Sequence, residues 1–266
     1  MVSITGTIIT LNEQDNIVEC IRSLKRVCSE IIVVDSFSED DTVRLAEDEG
    51  ARVIQQAYLG DGPQKAFGVS SAMHDWVLAL DADERLDEDA VSYIQSLTLS
   101  DPGTAYAFHR KNFVGKHWIR AAGFYPDAVV RLYNRTTSGY LPKKAHSSVK
   151  APKVKNTDTH IRHFTYRDMS HWIERINQLS SRDAWSMKSK GKQASSINPM
   201  LHACIAFFRK LVLKGGLFQG MDGMTVAMTT AFHAYMKYAK LNELYENADS
   251  AQTSETLLKG KSKNIE

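Results

Sequence analysis

The first hundred residues of this 266-residue chain alternate two kinds of run, and that alternation restricts the fold more than any other feature. SITGTIIT (3–10), IIVVD (31–35), RVIQQ (52–56) and WVLAL (76–80) are short, apolar and rich in β-branched residues. Strands buried on both faces of a sheet read this way. Between them, apolar residues recur at helical spacing. Ile17, Val18, Ile21 and Leu24 mark a helix over 15–27. Ser38 and Asp41 read as the cap of a helix that Gly50 ends, and further helices are expected over 63–73 and 87–97. Strands alternating with helices predict an α/β fold with a mostly parallel sheet flanked by helices.

Beyond Pro102 the pattern loosens. Strands are expected over 106–114, 127–134 and 159–166, and helices over 168–190, 199–214 and 222–246. The tail after Asn247 is polar and is expected to be disordered. The chain thus divides into an α/β domain (1–166), a C-terminal helical region (167–246) and a tail (247–266).

Charge divides along similar lines. Residues 1–101 hold 20 acids against 7 bases, whereas the remainder is strongly basic, although the net charge is only +2. Such asymmetry points the second part toward an anionic partner, phosphate-bearing or membranous. The three cysteines, Cys20, Cys28 and Cys204, lack metal-ligand spacing and fit a reducing compartment. The N-terminus opens on a strand-like run, so no signal peptide is expected. No run of 18 residues is free of charge, so no spanning helix is expected either.

Ligands of open parallel sheets bind beyond the carboxyl ends of the strands. Those ends read Thr10-Leu11-Asn12-Glu13, Asp35-Ser36 and Asp81-Ala82-Asp83, and a Gly-rich loop before the third helix leads to Lys65. Asp35 can accept hydrogen bonds from a base or ribose, an Asp-x-Asp pair can hold a hard divalent cation, and Lys65 can reach a phosphate. The dinucleotide fingerprint and the P-loop are both missing. The arrangement suits a nucleotide diphosphate. The same acids can also be read as a solvated helix start, Lys65 as a surface lysine and Asp35 as a capping residue.

TIITLNE, IIVVDSFSEDDT, QKAFG and LALDADERL, in this order and spacing, resemble family 2 glycosyltransferases of the GT-A (Rossmann-like) fold. RAAGFYPDAVVRLYNR, KKAHSSV, HIRHFTYRDMSHWIERINQLSSRDA and the closing LKGGLFQGMDGMTVAMTTAFHAYMKYAKL resemble the bacterial branch that builds lipopolysaccharide core and other surface glycans. The resemblance covers about residues 3–245. It implies that Thr10, Asn12, Glu13 and Asp35 surround the nucleotide, with a UDP-sugar favoured. It places Lys65 near the phosphates, Asp81 near the ribose or donor sugar, and Asp83 on Mg²⁺ or Mn²⁺.

The implied reaction is inverting transfer to a glycan or lipid-linked glycan, with Asp127 as the candidate base. The family pattern often carries an acid after the histidine of the later motif, where this chain reads His146-Ser147-Ser148. His146 then becomes a phosphate or metal contact, and Arg131 a phosphate or acceptor contact. Glu84 is read as facing the following helix in a structural role. Two other readings compete: a metal-dependent nucleotidyl- or phosphotransferase, and a non-catalytic, membrane-associated protein that keeps the fold.

The segment around Phe207, Phe208, Arg209, Lys210 and Lys214 is basic and aromatic. Its helices are either ordinary core helices or interfacial ones resting on anionic lipid. The second reading places the protein in the cytoplasm, peripheral on the cytoplasmic face of the inner membrane. No nucleic-acid partner is expected.

Overall fold

The computed structural model describes residues 3–142 and 147–262, with side chains described as far as Asn247. The chain forms two compact units, Met1–Ile119 with Phe124–Thr165, and Arg120–Gly123 with Tyr166–Glu266.

The first unit contains β1 (Ile4–Thr10), α1 (Ile17–Lys25), β2 (Glu30–Asp35), α2 (Thr42–Asp48), β3 (Arg52–Gln55), α3 (Asp61–Ser70) and β4 (Trp76–Asp81). There follow β5 (Glu84–Leu86), α4 (Glu88–Ser96), β6 (Thr104–Val114), β7 (His117–Trp118), β8 (Ala128–Asn134), β9 (Gly139–Tyr140), β10 (Val149–Lys150) and β11 (Lys153–Tyr166). The main sheet runs β3-β2-β1-β4-β8-β6-β11-β5, with β7 paired to β6, while β9 and β10 form a separate ribbon. Its first four strands are parallel, as the strand–helix alternation predicts. From β4 onward the described pairings are antiparallel. The sequence pattern did not reveal β5, β7, β9 or β10, which are three residues long or less.

The apolar alternation of β4 shows why the sheet is covered on both sides. Trp76, Leu78 and Leu80 join a core with Ile17, Ile21 and Leu24 of α1 and with Val91 and Ile94 of α4. Val77 and Ala79 join Ile32, Val34, Val69 and Tyr133 on the other face. Successive strand residues point to opposite faces, so one continuous apolar run serves both cores. Gly68 lets α3 settle closely on β2, because a Cβ there would meet the Val34 side chain at 2.9 Å.

Ser38 does not cap α2. Its hydroxyl turns back to Asp35, and α2 begins at Thr42 after Asp41, whose side chain makes no capping bond.

The second unit contains α5 (Met169–Ser189), α6 (Asn198–Phe208) and α7 (Gly220–Ser262). Asp168 caps α5 by accepting the His171 amide at 2.8 Å. A π-helical turn (Arg209–Leu213) and a 3₁₀ turn (Gly216–Phe218) lead from α6 into α7. There the backbones of Gly216 and Gly223 touch. A Cβ on Gly223 would lie 1.9 Å from the Gly216 carbonyl oxygen, so only glycine fits. The helix continues past residue 246, where the sequence pattern ended it, and through most of the tail expected to be disordered. No helix among the described residues is long and apolar enough to cross a membrane.

Candidate active site

Strand register assembles the site. Thr10 pairs with Asp35 across β1 and β2, and Ile9 pairs with Asp81 across β1 and β4. The strand ends expected to carry acceptors and carboxylates therefore share one rim.

On the β1–β2 side, the expected nucleotide contacts are engaged with their own loops. Asp35 is fully buried, and its carboxylate accepts the Ser38 amide at 2.9 Å and the Ser38 hydroxyl at 2.5 Å. Asn12 sits at φ 55° in the left-handed region. Its amide donates to Ser38 Oγ and its side-chain oxygen accepts from the Glu39 amide, both at 2.8 Å. Glu13 receives Asn16 Nδ2 on its carboxylate at 2.8 Å, and its own amide donates to Thr42 Oγ1. Thr10 Oγ1 is buried with no hydrogen-bond partner among the described residues.

On the β4 side the site is built of charge. Asp81 closes β4 and meets Lys65 Nζ from α3 at 2.7 Å and an Arg131 guanidinium nitrogen from β8 at 2.7 Å. Lys65 also reaches Asp61 at 3.0 Å. Burial works against the Asp81 charge, but Arg131 and Lys65 outweigh it and hold the carboxyl well below the usual carboxylate range. Burial likewise opposes the charges of Lys65 and Arg131. Asp81 overcomes it for Lys65, and Glu84 followed by Asp81 overcomes it for Arg131, so both stay protonated.

Glu84 corrects the sequence reading. It does not face the following helix but lies wholly buried at the start of β5, in contact with Arg131. It also accepts the Asp81 amide at 3.2 Å and lies 3.6 Å from Arg110. Arg110, on β6, grips Asp127 through Nε at 2.9 Å and a terminal nitrogen at 2.8 Å. Asn112, two residues along the same strand, adds a longer bond to the same Asp127 oxygen, Oδ2, at 3.3 Å. The other carboxylate oxygen, Oδ1, has no bond among the described residues.

The β11–β5 pairing sets His163 opposite Glu84, and Phe164 donates its amide to the Asp83 carbonyl at 2.9 Å. His163 Nδ1 is 2.7 Å from Asn112 Oδ1, so it donates there and leaves Nε2 directed at Asp83, 3.3 Å away. Burial disfavours the charged imidazole, but Asp83 more than offsets this and raises the ring above its ordinary value.

Carboxylates and cations thus alternate from Asp61 through Lys65, Asp81, Arg131, Glu84 and Arg110 to Asp127, and Asn112 links this chain to His163 and Asp83. Lys65, Asp81, Asp83, Asp127 and Arg131 were expected from the sequence. Glu84, Arg110, Asn112 and His163 complete the constellation, and the only advance signal was the alternation that puts residues 110 and 112 on one face of a strand. His146 lies outside the described residues.

The two acids of the Asp-x-Asp stretch do not act as a pair, because Asp81 is committed to its cations while Asp83 faces His163. Among the described residues, no three His, Cys, Asp or Glu side chains are gathered to hold a metal by themselves. The donor chemistry of Asp83 and His163 nevertheless fits Mg²⁺ or Mn²⁺ bound chiefly by water and substrate phosphates. Asn112 gives His163 the outer hydrogen bond that orients metal-binding imidazoles.

A strand-end site of buried cations, with one carboxylate free of them, has the chemistry to receive an anionic, phosphate-bearing ligand. The chain belongs to glycosyl transferase family 2, whose model matches residues 7–167, and it is a glycosyltransferase. It is 31% identical over 257 residues to a glycosyltransferase of Rickettsia felis, covering 91% of this chain and 90% of that one. It is 30% identical over 253 residues to the lipopolysaccharide core biosynthesis glycosyltransferase LpsC of Rhizobium meliloti, covering 90% and 91%. Among solved structures, glucosyl-3-phosphoglycerate synthase of Mycobacterium tuberculosis, in complex with Mn²⁺ and UDP, matches 42% of this chain and 44% of that one. The identity there is 25% and the TM-score 0.34, a loose superposition.

Proposed function

We propose that the protein transfers a sugar, with inversion, from a nucleotide sugar to a lipopolysaccharide-core or other surface-glycan acceptor, and that the donor is a UDP-sugar. The observation that carries this reading is the division of labour at the β4 end. Lys65 and Arg131 hold Asp81 in a floor of paired charges, while Asp83 is left facing His163.

In this reading, Thr10, Asn12, Glu13 and Asp35 frame the nucleoside, and Lys65 and Arg131 stabilise the negative charge of the diphosphate. Mg²⁺ or Mn²⁺, when bound, would be held by Asp83 with His163 and would offset charge on the departing diphosphate. Asp127 offers Oδ1 to the acceptor hydroxyl, while Arg110 and Asn112 fix its orientation through Oδ2. The acceptor oxygen bonds to the anomeric carbon as the bond from that carbon to the diphosphate breaks, and the hydroxyl proton passes to Asp127. A lipid-linked acceptor would place the protein on the cytoplasmic face of the inner membrane.

The test is a thermal-shift panel of UDP-, GDP-, CMP- and dTDP-sugars with and without Mn²⁺, followed by turnover with the best ligand. Ligands that bind the folded state raise its apparent stability. A UDP-sugar should give the largest shift, and Asp83→Ala should remove its Mn²⁺-dependent part. If no nucleotide sugar shifts the melting curve or is turned over, the reading fails.

A further inference from the structure

The second unit carries an apolar surface that faces outward. Ile197, just before α6, and Leu201, Ile205 and Phe208 on it are exposed, at steps of four and three that place them on one side of the helix. A helix of a soluble protein turns such a stripe inward, yet on α6 only Pro199 and Ala206 are buried. Beyond α6, Leu213 is 78% exposed and Phe218 89% in the turns that follow, and Met221 in the first turn of α7 is 78% exposed. Most exposed large apolar side chains among the described residues belong to this unit.

The charge along this segment has one sign, with Asp183 and Asp222 flanking it. From Ala184 to Met221 the sequence contains six Lys and Arg residues and no Asp or Glu. Lys188 and Lys210 donate to the Leu244 and Ala122 carbonyls at 2.6 and 2.9 Å. Lys190, Lys192, Arg209 and Lys214 are exposed.

We propose that the α6 stripe and the Leu213–Met221 turn dock on the interface of an anionic bilayer. The apolar side chains would sink among the headgroups and acyl chains, and the exposed bases would engage lipid phosphates. A second copy of the chain fits less well. A two-fold dimer brings the same patch onto itself, so a segment that carries bases and no acids would oppose like charges. The proposal deepens the membrane location given above, and rests on that reading only for which membrane is met.

The test is flotation of the full chain with vesicles of phosphatidylcholine alone or mixed with phosphatidylglycerol. The protein should float with the mixed vesicles and not with the neutral ones. The Leu213→Ser, Phe218→Ser double variant should lose at least about tenfold in partitioning. Each of Lys190→Gln, Lys192→Gln and Lys214→Gln should cost about fivefold, the equivalent of ~1 kcal/mol per basic residue near an anionic surface. Because these residues are exposed, melting temperature and donor-sugar hydrolysis in detergent-free solution should be unchanged, which separates lost docking from lost folding. Equal flotation with both vesicle types, or unimpaired flotation of the double variant, would overturn the proposal. So would a concentration-dependent dimer that the double variant dissociates, since that assigns the face to a second copy. Anionic-vesicle binding without turnover of any nucleotide sugar would sink the catalytic reading and leave this one standing.

Discussion

The two halves of the strand-end rim hold their carboxylates by opposite means. At the β1–β2 end, Asp35 is held by neutral donors, two of them on Ser38, three residues away. Asp40 likewise accepts the amide and hydroxyl of Thr42, two residues on. At the β4 end, Asp81 and Glu84 are held by Arg131 from 50 and 47 residues away. Local neutral bonds shape a loop and leave it electrically quiet. Distant cations create a strong field, and they fix five secondary-structure elements relative to one another as they do so. The difference assigns shape recognition to one half and charge handling to the other.

The comparison breaks most directly at Asp83 and Glu84. With Asp83 holding the metal as proposed, Asp83→Ala should reduce kcat/KM for sugar transfer by about a thousandfold, the several kcal/mol that metal-assisted charge stabilisation supplies. Folding stability should change little, because among the described residues the Asp83 carboxylate meets only His163. An active Asp83→Ala enzyme with unaltered Mn²⁺ dependence would remove this residue from the site. Glu84→Gln should behave the other way, lowering unfolding free energy in urea by about 3 kcal/mol, the low end for a broken buried ion pair. Glutamine still accepts the Asp81 amide, which is why the loss should not be larger. A loss under about 1 kcal/mol would mean that the two arginines do not depend on Glu84.

These two residues also show what the sequence could and could not reveal. The α/β alternation was legible because each strand and helix carries its own local periodicity. Asp81, Asp83 and Lys65 were legible because a parallel sheet has a predictable binding edge. Glu84 was misread because its partners arrive on antiparallel strands, and the register of β8 and β6 is not written in any short window. Arg110, Asn112 and His163 escaped for the same reason. On α6 the sequence left a core and an interfacial reading open, because apolar content alone does not say whether a face meets a core or a solvent boundary.

Smaller effects sharpen the contrast. Asp35→Asn keeps the shape of the buried side chain but weakens its bonds to Ser38, and should cost about 2 kcal/mol, within the range for single charged hydrogen bonds. Its melting curve should respond little to salt, since no cation among the described residues pairs with it. Asp87, paired to Lys111 at 2.7 Å and to Arg162 at 2.8 Å, supplies the charged counterpart. Burial opposes its charge, but hydrogen bonds from Lys111 and Arg162 prevail and lower its pKa. A carboxylate depressed in the folded state contributes stability that is complete above its unfolded value near 4 and fades as pH falls toward its folded value. The stability gap between wild type and Asp87→Asn should therefore be flat from pH 7 to about 5 and narrow below about 4. A gap that widens with acid would reverse the assigned direction.

The smallest effect should come from Asn12, where two terms oppose each other. Replacing it with glycine removes the bond from its side-chain oxygen to the Glu39 amide, worth about 1 kcal/mol. Glycine also relieves the left-handed backbone at φ 55°, worth a similar amount for a non-glycine residue. The Ser38 bond survives, because it comes from the Asn12 backbone amide. Asn12→Gly should therefore leave stability within about 0.5 kcal/mol of wild type, whereas Asn12→Ala, which loses the bond and keeps the strain, should cost about 1–2 kcal/mol. Urea unfolding of the pair checks this. If glycine and alanine cost the same, backbone strain contributes nothing here, and the side-chain bond alone defines this end of the rim. If both variants also lose nucleotide affinity to the same extent, Asn12 contacts the ligand directly, and the electrically quiet half of the rim does more than shape the loop.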